Sequence, residues 1–107
     1  MEYQIAPAII ADNENELHSR IELIKNQVPR IHVDIMDGNF VQRKSNFFPL
    51  SLPKYKGSYE AHLMVKDPLT WGKRKECSHF DVIILHAELG HNIIEEAIAI
   101  FHKKKKE

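Results

Sequence analysis

Short apolar runs alternate along this chain with stretches of helical spacing, and that alternation limits the fold more than any other feature. Residues 5–11 form a short apolar run bounded by polar residues, which reads as a strand buried on both faces. Leu17, Ile21, Ile24 and Val28 then recur at the spacing of one helix face. Asn13, with Glu16 three residues later, supplies an N-cap, and Pro29 marks the exit. Residues 30–36 read as a second strand ending at the Asp37-Gly38 turn signal. A polar loop follows over 39–46, and Pro49 and Pro53 keep any helix in 47–56 short. A third strand is expected over 59–65. Asp67-Pro68 caps and opens a helix over 69–77, and Trp71 with Leu69 packs it on the sheet. A fourth strand, rich in Val and Ile, covers 80–87. Asn92 caps a last helix in which Ile94, Ala97, Ile98 and Phe101 share a face.

The order β-α-β-(α)-β-α-β-α calls for parallel strands joined by crossover helices. Four such units make half of an eight-stranded barrel, and a small open parallel sheet satisfies the same pattern. The chain of 107 residues carries no internal repeat or Gly/Ser linker, so a single domain is expected. Its 15 basic and 15 acidic residues give a net charge of +0, which leaves no field to draw nucleic acid or an anionic membrane. No apolar run approaches the ~18 residues that span a bilayer, and residues 1–7 lack the layout of a signal peptide. A cytoplasmic protein is the expectation. Cys77, the single cysteine, allows no internal disulfide and reads as a small buried hydrophobe. Lys103 to Lys106 read as a solvated, frayed helix end.

The second strand carries the chemistry. Side chains alternate across a strand, so His32, Asp34 and Met36 share one face, and Val33 and Ile35 pack on the other. A carboxylate facing a barrel interior needs a partner or a metal. His32 and Asp34 therefore read either as a hydrogen-bonded structural pair or as half of a divalent-metal site. On the third strand His62 and Met64 share a face, and parallel pairing would set His62 beside His32 and Asp34 and Met64 beside Met36. On the fourth, His86 and Glu88 share the inward face and read first as a hydrogen-bonded pair. Asp37, outward by parity, is placed to cap its turn. His18, His79, His91 and His102 fall in helical or loop positions expected at the surface, and Phe47 and Phe48 either cover a barrel mouth or fill core.

Four motifs occur in order: Ile5-Ala6-Pro7, then His32-Val33-Asp34-Ile35-Met36-Asp37-Gly38-Asn39-Phe40-Val41, then His62-Leu63-Met64-Val65, then His86-Ala87-Glu88. They resemble the successive strand motifs of the ribulose-phosphate 3-epimerase family, along nearly the whole chain but over only the first half of a family member. The resemblance implies an α/β fold of TIM-barrel type, here a (β/α)4 half-barrel with parallel strands. It implies that His32, Asp34 and His62 are three of four ligands of a divalent metal (Zn, Fe, Mn or Co). Asp34 would also be one of two acid/base carboxylates, and Met36 and Met64 would line the substrate face. Family members epimerise carbon 3 of a pentulose 5-phosphate. One carboxylate removes the proton beside the carbonyl, a metal offsets the charge of the enediolate, and a second carboxylate returns a proton on the opposite face.

Two departures from the family pattern follow. Ala8 stands at the substrate-facing position where the family usually carries a serine. The second catalytic aspartate, the fourth ligand and the glycine-rich phosphate loop belong to the half with no counterpart here; Gly38, Gly57, Gly72 and Gly90 form no cluster. A half-barrel leaves open edges, to be closed by a second copy of the chain, by a separate chain carrying the missing half, or by the remainder of a longer protein. Besides an epimerase completed in one of these ways, the sequence allows an inactive remnant or an interaction module that pairs through its open edge. Hexulose-phosphate synthases and related decarboxylases would be expected to carry a lysine beside the acid, where Ile35 and Met36 stand.

Overall fold

A computed structural model of the protein describes residues 5–107. Its strands are β1 (Ala8–Ile9), β2 (Arg30–Asp37), β3 (Lys44–Ser45), β4 (Ser58–Met64) and β5 (Val82–Ile84). Its helices are α1 (Glu14–Ile24), α2 (Pro68–Gly72) and α3 (His91–Lys103), with 3-10 turns at Lys75–His79 and Ala87–Leu89. The sheet order is β1-β2-β4-β5 with every neighbouring pair parallel, and β3 pairs antiparallel with β2. Each parallel strand is thus added on the same side as the one before. A doubly wound sheet would reverse its order at a switch point; this sheet does not, and it is compatible with half the wall of an eight-stranded barrel. It is open, not closed.

Strand parity sets the layers. Ile31, Val33 and Ile35 of β2 and Ala61 and Leu63 of β4 are wholly buried. They meet Leu17 and Ile21 of α1, Trp71 of α2, Phe80, and Ala97 and Phe101 of α3 in one apolar core. Each of the larger aliphatic side chains contributes roughly 1.5–3 kcal/mol by leaving water. The helices therefore cover one face of the sheet. The opposite face carries His32, Asp34, Met36, Glu60, His62 and Met64 by the same alternation.

Helix α1 begins as the sequence predicts: Asn13 accepts a hydrogen bond from Glu16 N at 2.9 Å. Elsewhere the boundaries move. The run over 5–11 pairs only at Ala8–Ile9; Ile9 is buried but Ala8 is exposed, because its face of the sheet has no second layer. The helix expected over 69–77 stops at Gly72, a poor helix residue packed close against Phe101. Arg74 turns to an extended backbone and lays its guanidinium over Phe47, 4.6 Å from the ring centre. Phe47 and Phe48 both pack against the core, as do Leu69 and the buried Trp71, and Cys77 is buried. The fourth strand pairs only through Ile84; His86 keeps extended backbone beyond the ladder. Helix α3 is corrected at both ends of its prediction. Gly90, at φ 98, is its N-cap and Asn92 lies inside the first turn. Ala97 and Phe101 are buried, but Ile98 is 43% exposed, off the buried stripe.

The lysine run is more ordered than a frayed end. Lys104 Nζ donates to Gly72 O at 2.9 Å, and the chain turns at Lys105 (φ 62). Glu107 then lies along the outer edge of β5, donating to Asp81 O at 2.9 Å and accepting from Ile83 N at 2.6 Å. No helix among the described residues is long and apolar enough to cross a membrane.

Candidate metal centre

The β2–β4 register sets His32 opposite Glu60, Asp34 opposite His62 and Met36 opposite Met64. These pairs stack along one face, so the ligand types that the sequence places on separate strands meet side by side. Asp34 Oδ1 is their common point: His32 Nε2 and His62 Nδ1 each lie 3.0 Å from it. One ligand atom from each of the three residues falls within 4.8 Å of the others. Ligand atoms of a tetrahedral site with ~2.0–2.1 Å bonds stand about 3.3 Å apart, and two imidazoles with a carboxylate suit zinc and its neighbours. The donor set fits a divalent cation in chemistry, and its two nitrogen–oxygen spacings of 3.0 Å lie near that separation.

Backbone ties fix where Asp34 sits. Asn46, buried and at φ 52, donates from Nδ2 to Ile9 O at 3.0 Å and to Asp34 O at 2.9 Å. It thereby clips β1 to β2 at the level of the carboxylate. Asp37 caps the turn that follows, as its parity suggests. Its carboxylate accepts from Asn39 N and Phe40 N, each at 2.8 Å, and from Lys66 N at 2.9 Å, so it also joins the ends of β2 and β4. Burial alone would push its pKa up; the bonds from Lys66, Phe40 and Asn39 outweigh that and hold it below the ordinary aspartate value. Gly38 follows at φ 81, in the left-handed region that glycine enters without strain.

The remaining site residues of the sequence reading take these places. Met36 and Met64 are half-buried and paired, beyond the ligands toward the C-terminal ends of the strands. Ala8 is exposed in register with His32, so it presents a methyl group, and no hydrogen-bonding group, on that face. His86 and Glu88 form the expected pair, Nδ1 to Oε2 at 3.2 Å. The imidazole of His86 also stacks on His62 with ring centres 4.8 Å apart, and Phe40 packs against it at 5.1 Å. His79, His91 and His102 are exposed, as expected, and His18 is half-buried.

One residue escaped the sequence reading. Glu60 is only 8% exposed, and its carboxylate lies 2.7 Å from His32 Nδ1 and 3.3 Å from Arg30 Nη1. The alternation that selects His62 and Met64 selects Glu60 equally, two residues earlier on the strand. A cavity of about 930 Å³ lies at the other ends of the strands, lined by Pro29, Arg30, Tyr55, Gly57 and Asp81 among others. It lacks the converging ligands of the central face, and the N-terminal end of such strands is where barrels carry stability instead of chemistry.

No curated protein gives a significant match to this chain. A family likeness has to run through β2 and β4, the two strands that deliver His32, Asp34 and His62 to one point. The family model that matches does so over residues 4–106, taking in all of them, and the chain belongs to the ribulose-phosphate 3 epimerase family.

Proposed function

We propose that this chain is one domain forming the N-terminal (β/α)4 wall of a TIM-type barrel, and that it acts as an isomerase, epimerising carbon 3 of a pentulose 5-phosphate. The observation that carries the reading is the convergence of His32 Nε2 and His62 Nδ1 on Asp34 Oδ1. A divalent cation held there would supply positive charge to the ketone and hydroxyl oxygens of the substrate, making the neighbouring carbon acid strong enough for a carboxylate to deprotonate. Asp34 is the base. Its main chain is pinned by Asn46, so it meets substrate from a strand with little freedom to move. Met36 and Met64 give the adjoining wall a polarizable apolar surface, and Ala8 leaves room without offering a hydrogen bond.

Inversion at one carbon needs a second acid on the opposite side of the substrate. Glu60 does not serve, because it projects from the same sheet face as Asp34 and is held by Arg30 and His32. We infer that the opposite wall, with its carboxylate and its phosphate anchor, comes from a second copy of the chain, from another chain carrying the other half, or from the remainder of a longer protein, in a cytoplasmic assembly. The one-sidedness of the ligand set also favours a second reading: an inactive half-barrel that binds metal and pairs with another chain.

Metal uptake, particle mass and ribulose 5-phosphate turnover, measured on the same preparation, test both. The enzymatic reading expects about one divalent ion per chain, a particle of at least twice the chain mass, and turnover that disappears in Asp34→Asn. Metal uptake without turnover selects the inactive pairing module. A clean monomer that takes up no zinc, manganese, iron or cobalt sinks the metal reading altogether.

A further inference from the structure

Both ligand imidazoles have a second nitrogen, and each of those nitrogens is engaged. His32 turns Nε2 toward Asp34 and Nδ1 toward Glu60 Oε1, 2.7 Å away. His62 turns Nδ1 toward Asp34 and Nε2 toward His86 Nε2, also 2.7 Å away. Glu60 is nearly buried and is itself held by Arg30, which reaches Glu60 Oε2 at 3.3 Å and Ser58 Oγ at 3.4 Å.

We propose that Glu60 and the His86–Glu88 pair are positioning residues that fix the tautomers of His32 and His62, so that both lone pairs face the metal position. This rests on the metal reading above and deepens it. A cation held beside Asp34 would need lone pairs on the two nitrogens that face it, His32 Nε2 and His62 Nδ1, and this leaves one arrangement for neutral rings. A carboxylate accepts, so Glu60 places the His32 proton on Nδ1 and frees Nε2. Glu88 likewise places the His86 proton on Nδ1, 3.2 Å from its Oε2. His86 Nε2 is then an acceptor, and a nitrogen–nitrogen contact needs one hydrogen between the rings. That hydrogen sits on His62 Nε2, which leaves His62 Nδ1 as the ligand atom. The near-parallel stack of His62 on His86, at 14° between planes, and the packing of Phe40 on His86 hold the relay in line. The two histidines thus bind through different nitrogens, Nε2 from β2 and Nδ1 from β4. Partners of this kind typically change metal affinity 10–100-fold when removed.

The test reads binding and tautomer, not turnover. Long-range proton–nitrogen NMR correlations on the zinc-loaded wild-type chain, with ring nitrogens labelled, report which nitrogen of each histidine carries hydrogen. Hydrogen on Nδ1 of His32 and on Nε2 of His62 is expected; the reverse pattern at either ring overturns the proposal. Zinc affinity by chelator competition should fall about tenfold or more in Glu60→Ala and in His86→Phe, and recover in part in Glu60→Gln, whose amide oxygen still accepts. If the wild type binds zinc and these variants bind it equally well, the orienting role is wrong and the metal site stands. If the wild type binds no zinc, the metal reading itself has failed. The NMR measurement needs no variant, so a substitution that prevents folding leaves the proposal exposed to refutation.

Discussion

Asn46 shows how much of the site depends on a side chain that takes no part in chemistry. Its amide nitrogen serves two buried carbonyls, Ile9 O and Asp34 O, from a backbone at φ 52 that asparagine tolerates better than most residues. Asn46→Ala leaves Asp34 O without this donor and takes a second bond from Ile9 O, which the ladder to β2 also serves; at roughly 1–3 kcal/mol for an orphaned acceptor, urea unfolding should record a loss of about 1–3 kcal/mol. Asn46→Gly, which removes the strain of the left-handed backbone but not the lost donor, should recover about 1 kcal/mol of that. An alanine variant as stable as the wild type would mean that the clip contributes nothing. Asp37 makes a second residue-level prediction. Its carboxyl pKa is depressed, because bonds from Lys66, Phe40 and Asn39 outweigh the effect of burial. A depressed acid stabilises the fold fully above its unfolded pKa of ~3.9 and loses that contribution as pH falls through the folded value. Urea midpoints taken from pH 5 downward should therefore drop more steeply in the wild type than in Asp37→Asn. Parallel curves would show that the three bonds do not favour the ionised form. The grouping of His32, Asp34 and His62 is legible because alternation on a strand needs only the sequence. Glu60 obeys the same alternation but was passed over: a glutamate before a strand's apolar centre looks like a solvated end until the register places it against His32.

At the level of elements, the order along the chain was readable and the ends were not. Periodicity reports which residues face a core, while the end of a strand depends on where its neighbour stops. Strand β5 is three residues long because it pairs with β4 only from Glu60 to His62. Helix α2 ends early where Gly72 meets another element: a Cβ there would lie 2.9 Å from Phe101 Cε1, in a ring only 3% exposed. That close approach lets α2 and α3 pack, and it predicts the sign of a substitution. Gly72→Ala would gain up to ~1 kcal/mol of helix propensity. It must also displace a buried ring, and overpacking costs about 1–3 kcal/mol. The clash should win, lowering stability by about 1 kcal/mol in urea unfolding. The decisive comparison is made in a Phe101→Leu background. There the smaller side chain should make Gly72→Ala neutral or stabilising, a coupling that a double-mutant cycle measures directly. If Gly72→Ala costs the same in both backgrounds, the contact with Phe101 is not its cause.

For the molecule as a whole, the decisive feature is a sheet with one covered face, one chemically loaded face and unequal edges. At the β5 edge, Ile83 N and Asp81 O are already engaged by the backbone of Glu107, in the manner of a further parallel strand. At the β1 edge, His32 N bonds to Pro7 O and Ala8 is in register with His32. Strand alternation therefore turns the amides of Ala8 and Ile10 away from β2. An unpaired edge of this kind is a template for another strand. Two copies related by an axis along the strands would bring β1 of each toward the β5 edge of the other, with Glu107 displaced from that edge, giving eight parallel strands with both loaded faces inward. Closure of that kind predicts a linked pair of changes. As concentration rises and light scattering records doubling of the particle, the amides of Ala8 and Ile10 should become protected from hydrogen exchange. Buried core amides such as Val33 should remain protected throughout. Doubling without added protection at Ala8 and Ile10 would place the join elsewhere on the molecule. The two loaded faces would then not meet, and a second copy of this chain would not supply the second acid.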